Sequence, residues 1–285
     1  MKPKKINKQL SADIFSKLID IFNKKSWEIE DDTNEVSLFN RFSSTLSELS
    51  YDQQMLILEL TERFTKINFD EYLIYIKSVL EYLVKDNKVD LSSIKNIYIA
   101  PLISPEDFGK SKSSTMVQYS IRGIINNIPA LAFKRIIYTQ GLNVDKEHIN
   151  KEDSILLLVD DFVGTGETAS AAIEYLNNVE NIDKKKIVIL TIAALKVGIA
   201  FVESLNVLIY TALSFDKGIS DYYPSELVTE KIKLMDSIER KIKVHKNERL
   251  GFKGSEALLT LIRTPNNTFP VFWKQKKNRI APFPR

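Results

Sequence analysis

Apolar residues recur at three- and four-residue intervals through the first third of the chain. Ile14, Leu18, Ile21 and Phe22 form one stripe, Met55, Leu56, Leu60 and Phe64 a second, and Tyr72, Ile76, Val79, Leu80 and Leu83 a third. Charged residues fill the other faces, so each stripe marks an amphipathic helix. Residues 1–90 are accordingly expected to form a helical N-terminal region. No glycine occurs there, which leaves it without the loops that cradle phosphates.

Beyond residue 90 the apolar positions gather into short blocks. Residues 97–100 read as a buried strand closed by Pro101, followed by a turn-rich polar stretch over 104–114. A helix is expected over 115–126, a strand over 130–137, a polar loop over 139–153 and a strand over 154–160. A helix over 168–177, a strand over 186–195, a short helix through Ala200 and Phe201 and a strand over 207–213 complete the series. Strands alternating with helices predict a parallel α/β sheet, a core domain over 91–215. From 216 the texture changes again. A turn over 216–221 leads to a helix over 225–244, with Ser225 as its N-cap and Val228, Ile232, Met235, Ile238 and Ile242 on one face. A strand over 257–262 and a tail rich in proline and aromatic residues then make a C-terminal hood over 216–285.

Composition narrows the chemistry. The 285 residues are 44% hydrophobic and 27% charged, which is globular composition. Forty Lys and Arg against 37 Asp and Glu give a formal charge of +3, too near balance to drive nucleic-acid or membrane binding by field alone. The short basic clusters at 184–186 and 274–277 read as solvated surface. Without cysteine, a disulfide scaffold, a thiolate zinc site, an iron–sulfur cluster and a Cys nucleophile are excluded. His148 and His245 sit in no ligand-spaced motif, which speaks against a His metal site. No apolar run approaches the roughly 18 residues of a membrane helix. No apolar segment follows the basic start, so a cytoplasmic protein without a membrane partner is expected.

The segment over 155–168 carries the chemistry. An apolar strand ends in two adjacent carboxylates, Asp160 and Asp161, and Gly164, Thr165, Gly166, Glu167 and Thr168 then open a helix. Open α/β sheets bind ligands outside the carboxyl ends of their strands, so both acids are expected to face a cleft. The glycines let a ligand approach the backbone, whose N–H groups suit an anion, and the two threonines add hydroxyls. The acids suit the opposite chemistry, sugar hydroxyls or a hydrated Mg²⁺. Phosphate and vicinal hydroxyls on one small ligand describe a sugar phosphate.

Three other readings compete for these residues. Gly164, Gly166 and Ala169 satisfy a relaxed dinucleotide fingerprint, but the next strand ends in Ala193, Ala194 and Leu195 without the acid that fingerprint wants. A Walker A loop fails because Glu167 stands where the lysine belongs. Simple helix capping by Asp161 or Thr165 accounts for one polar side chain, not for two acids with two glycines.

The segment resembles the 5-phosphoribosyl-1-diphosphate (PRPP) signature of type I phosphoribosyltransferases: an apolar strand, an acidic pair, two mostly apolar positions and a Thr/Gly loop entering a helix. Asp160 and Asp161 occupy the acidic pair, and residues 164–168 occupy the 5′-phosphate loop. Gly164 stands where a threonine is common, which removes one hydroxyl. The resemblance implies a type I phosphoribosyltransferase-like sheet with an N-terminal helical region and a C-terminal hood. It implies Mg²⁺ as cofactor, held by Asp160 and Asp161 through water or ribose hydroxyls. It also implies an earlier loop for pyrophosphate, where Lys110, Ser111 and Ser113 stand; a solvated Ser/Lys loop is the competing reading. Arg122, Lys134, Lys146 and Lys151 are further cations that could reach phosphate, and each also reads as ordinary surface. Gly251 and Phe252, the segment 257–259, the turn 264–270, Trp273 and the closing residues 282–285 resemble the PRTase-CE type. That is a bacterial group associated with conflict and phage-defence loci, some of them with retron reverse transcriptases. The turn over 264–270 reads equally as a base pocket or as a rigid clasp over the sheet.

Three functions follow from the resemblance. The first is an enzyme that makes or cleaves the anomeric bond of PRPP or a nucleotide. The second is an effector of a defence system using the same chemistry, restrained by a partner such as a retron reverse transcriptase with its nucleic acid. The third is a PRPP- or nucleotide-binding regulator without turnover. The apolar stripes of residues 1–90 and the basic tail are the expected partner surfaces, with a helical cap on the protein's own sheet as the competing use.

Overall fold

The computed structural model describes residues 10–30, 34, 36–110, 112–276 and 279–285. In chain order its elements are α1 (Ala12–Lys24), α2 (Leu38–Ser47), α3 (Tyr51–Arg63), β1 (Thr65–Lys66), α4 (Glu71–Lys85), β2 (Asn96–Pro101), α5 (Ser113–Arg122) and β3 (Arg135–Tyr138). They continue with α6 (Lys146–Ile149), β4 (Ser154–Val163), α7 (Glu167–Asn178), β5 (Ile187–Leu195), α8 (Lys196–Ser204), β6 (Leu208–Phe215), α9 (Ser225–Lys241), β7 (Leu259–Thr260) and α10 (Pro270–Trp273). Among the described residues no helix is long and apolar enough to cross a membrane.

The chain divides into two compact units, Met1–Ile67 with Lys217–Arg285, and Asn68–Asp216. The first unit is discontinuous in sequence. Its first two helices start where short polar side chains satisfy the free N–H groups: Ser11 accepts from the Ile14 amide at 3.4 Å, and Ser37 from that of Asn40 at 3.1 Å. The apolar stripes of α1 and α3 bury Ile14, Leu18, Phe22, Leu56 and Phe64 in one core with Met235 and Ile238 of α9 and Phe272 of α10. The rings of Phe64 and Phe283 stack with centroids 4.7 Å apart. β1 and β7 add a short parallel pair, Thr65 opposite Leu259. The stripes of α1 and α3 are thus consumed by the unit's own core. The 264–270 segment is tied within the same unit, with Thr268 Oγ1 donating to the Leu259 carbonyl and Trp273 Nε1 to that of Thr268, each at 2.6 Å.

The second unit holds a five-stranded parallel sheet in the order β3-β2-β4-β5-β6. β5 is buried at every residue and β4 at all but Asp160 and Phe162, as a parallel sheet covered on both faces requires. α4 packs on β5 and β6, α5 on β2 and β4, and the two helices touch each other. α7 contributes Ala169, Ala172, Ile173 and Leu176 to a core with Leu156, Leu158 and Ile189. From β2 the chain passes to β3 on one side, and from β4 to β5 on the other. The gap between β2 and β4 is therefore the topological switch point, where open α/β sheets place a ligand crevice.

The division into units differs from the layout of 1–90, 91–215 and 216–285. α4 belongs with the sheet, while α1–α3 share a core with the C-terminal elements. The strand expected over 130–137 shortens to β3. Residues before it form turns closed by Leu131 and Lys134 amides on the carbonyls of Ile128 and Leu131, and Phe133 is 98% exposed. The expected strand over 257–262 shortens to β7, and the helix begun at Ser225 stops at Lys241, just before Lys243 turns left-handed at φ 59°.

Candidate active site

β4 carries the acidic pair to the switch point. Pro101 at the end of β2 lies opposite Val159, and Asp160 lies opposite Thr191 of β5. Asp160 is half-buried, and its Oδ1 accepts hydrogen bonds from Ser113 Oγ at 3.0 Å and from the Asp161 amide at 2.8 Å. Asp161 is only 6% exposed, and its Oδ2 accepts from the Tyr72 hydroxyl at 3.0 Å. Asp160 is thus the more open of the two acids, and Asp161 lies against Tyr72 of α4.

Burial pushes the Asp160 carboxyl well above the usual carboxylate range, and the adjacent Asp161 charge adds to the rise. Burial raises Asp161 as well, opposed by hydrogen bonds that include the one from Tyr72. No lysine or arginine among the described residues forms an ion pair with either acid. Two adjacent carboxylates without a cation are costly, and chemically the pair could hold a hard divalent cation such as Mg²⁺. No group of three or more potential ligands occurs among the described residues, so two acids would share the ion with water or substrate oxygens, as Mg²⁺ favours.

The loop after β4 has the form of an anion cradle. Gly166 sits at φ +85°, a conformation that favours glycine, and caps α7 without a side-chain hydrogen bond. The positive end of the α7 dipole thus meets the loop. Gly164, Thr165 and Glu167 are half-buried and Thr168 is exposed. α8 supports the loop from behind. A Cβ on Gly198 would collide with the Gly164 carbonyl oxygen, and one on Gly166 would lie 2.7 Å from Phe201 Cδ1. Neither Gly198 nor Tyr72 is singled out by the sequence. Tyr72 stands within an apolar stripe, and its one distinguishing sign is a polar tip in an otherwise aliphatic series.

The earlier loop is brought in only in part. Ser113, the first residue of α5, reaches Asp160, while Lys110 Nζ pairs with Asp107 at 2.9 Å and Lys112 with the same carboxylate at 2.7 Å. These lysines hold the Asp107 carboxyl down at about 2. Lys110 is thus turned to Asp107, not to the acidic pair. Ser111 lies outside the described residues. Lys134 donates to the carbonyls of Leu91 and Ile94 at 2.6 Å each, and Arg122 stacks on Tyr138 at 4.2 Å, so both are tied into the scaffold. Lys146 and Lys151 are exposed.

A five-stranded parallel sheet with an acidic pair and a glycine loop at its switch point defines a type I phosphoribosyltransferase-like α/β protein. The PRTase-CE family model matches residues 40–285, and the chain belongs to that family. Among solved structures it is similar to orotate phosphoribosyltransferase from Aeropyrum pernix, at 12% identity over 55% of this chain and 74% of that one, with a TM-score of 0.30. It is also similar to APRTase from Giardia lamblia in complex with 9-deazaadenine, at 15% identity over 51% of this chain and 83% of that one, with a TM-score of 0.33. A third is the xanthine-guanine-hypoxanthine phosphoribosyltransferase of Helicobacter pylori, at 9% identity over 53% of this chain and 84% of that one, with a TM-score of 0.30. No curated protein matches the chain in sequence.

Proposed function

We propose that the chain binds PRPP or a ribose-5-phosphate nucleotide with Mg²⁺ and makes or breaks the bond at the anomeric carbon. One juxtaposition supports this reading: an acidic pair without a cation stands beside a glycine loop at a helix N-terminus, so a single small ligand meets N–H donors for its phosphate at one end and carboxylate acceptors for its hydroxyls at the other. The backbone N–H groups of 164–168 take the 5′-phosphate. Asp160 and Asp161 take the ribose hydroxyls and would hold Mg²⁺ through water or those hydroxyls; when bound, the ion would supply positive charge against the pyrophosphate. The uncapped N-terminus of α5, with Ser113, faces the leaving group's charge.

As the anomeric bond breaks, its electron pair leaves with pyrophosphate or base, and positive charge develops across the anomeric carbon and ring oxygen. The carboxylates oppose that charge, and the incoming group then supplies the electron pair of the new bond. The protein contributes positioning and fixed charge, so it needs no nucleophilic side chain.

Titration calorimetry of the full chain with PRPP, ribose 5-phosphate and nucleoside monophosphates, with and without Mg²⁺, tests the reading. Mg²⁺-dependent heat with PRPP or a nucleotide is expected, and silence from all of them overturns it. Binding without release of pyrophosphate or base reassigns the chain as a regulator. The narrower effector role, with its partner from a defence locus, rests on the family resemblance. Growth arrest on expression of the chain alone that Asp160→Asn abolishes supports it; a chain that is harmless alone and co-purifies with no product of its neighbouring genes rejects it.

A further inference from the structure

Two hydroxyls reach the acidic pair, and they come from two different helices. Ser113 of α5 reaches Asp160, and Tyr72 in the first turn of α4 reaches Asp161. α4 precedes the sheet in the chain and is anchored on it by Ile76, Val79, Leu80 and Leu83, all buried. The spacing of that stripe fixes the direction of Tyr72, which shares its face and is 1% exposed. A phenylalanine would fill the same volume, but its ring would leave Asp161 Oδ2 without this donor. Losing one hydrogen bond to a buried carboxylate is costly, so the hydroxyl is matched to that carboxylate.

We infer that Tyr72 is a positioning residue for the phosphoribosyl site. It holds the Asp161 carboxylate in one orientation and thereby sets the Mg²⁺ and ribose end, while the phosphate loop is built independently of it. The inference deepens the function proposed above and rests on it. It makes α4 part of the site, although α4 carries none of the motif.

The test is Tyr72→Phe in the full chain, read by calorimetry with PRPP over a series of Mg²⁺ concentrations and by thermal melting. Affinity for PRPP should fall roughly ten- to hundredfold, the range for one hydrogen bond to a charged group. The Mg²⁺ concentration giving half-maximal binding should rise, a change that a purely structural role would not produce. Weak binding of inorganic phosphate without Mg²⁺ should be unchanged. In an Asp161→Asn background the same substitution should add little further loss, because Tyr72 acts through Asp161. If the wild type binds no PRPP, the reading of the site fails. If the wild type binds and Tyr72→Phe binds equally at every Mg²⁺ concentration, the inference fails and the reading stands. A Tyr72→Phe chain without a melting transition makes the hydroxyl a determinant of folding and overturns the inference too.

Discussion

Asp160 and Glu239 are both carboxylic acids raised by burial, and their surroundings give them different uses. Asp160 opens partly to solvent, has the Asp161 charge beside it and meets no cation. Removing its charge should relieve repulsion while deleting a ligand contact. Asp160→Asn is therefore expected to lower PRPP affinity at least about tenfold and to leave the melting midpoint unchanged or higher; calorimetry and a melting curve on one preparation check both. Glu239 of α9 is fully buried, accepts from the Leu250 amide at 2.7 Å, and its Oε1 has no partner. Burial pushes its carboxyl up to about 8, from an ordinary value of 4.5. Between those two values the folded protein keeps a proton that the unfolded chain has lost, so stability falls as pH rises through that window. At about 1.4 kcal/mol per unit, the loss is on the order of 3–5 kcal/mol. Denaturant melts at pH 5 and pH 8.5 should show it, and Glu239→Gln should flatten the difference.

Among the elements, β4 and its loop were the most legible, because every one of their signals is local. An apolar run, two acids, two glycines and a helix start can be read without knowing what packs against them. β3 was not legible in its full extent: Ile136 and Ile137 pair with β2, but Phe133 lends strand character to a stretch that the chain uses as an exposed turn. Tyr72 and Gly198 were hidden for a different reason. Their contacts span 89 residues for Tyr72 with Asp161 and run between α8 and the Gly164 carbonyl for Gly198, and no periodicity records which distant residue a side chain will meet. Gly198 gives an element-level prediction. A side chain there must displace the Gly164 backbone, so Gly198→Ala and Gly198→Val should weaken PRPP binding in increasing order. In the first turn of α8, alanine should also recover up to about 1 kcal/mol of helix propensity, so loss of affinity should exceed loss of stability. Gly123→Ala is the control. A Cβ there meets only the Ser120 carbonyl oxygen at 3.6 Å, and binding should not change.

At the scale of the molecule, the order of segments in the chain and the order of packing part company. Amphipathic periodicity marks helices within residues 1–90, but a stripe does not name its partner, and the third stripe goes to the sheet while the first two go to the C-terminal elements. One continuous stretch, Asn68–Asp216, therefore contains the whole parallel sheet, both acids, the glycine loop, Ser113, Gly198 and Tyr72. The other unit needs two distant pieces, because Phe64 and Leu56 share a core with Phe272 and Met235. Deleting residues 1–67 should expose that core and give an aggregating product, since a stripped apolar face of this kind is not tolerated by a soluble chain. The fragment 68–216 loses no strand of its sheet. Expressed alone it should melt cooperatively and bind Mg²⁺–PRPP with an affinity near that of the full chain, as measured by circular dichroism and calorimetry. A fragment 91–216, which drops α4 and with it Tyr72 and the cover of β5 and β6, should lose both properties. If 91–216 folds and binds as well as 68–216, α4 is an ornament of the sheet and not a part of it.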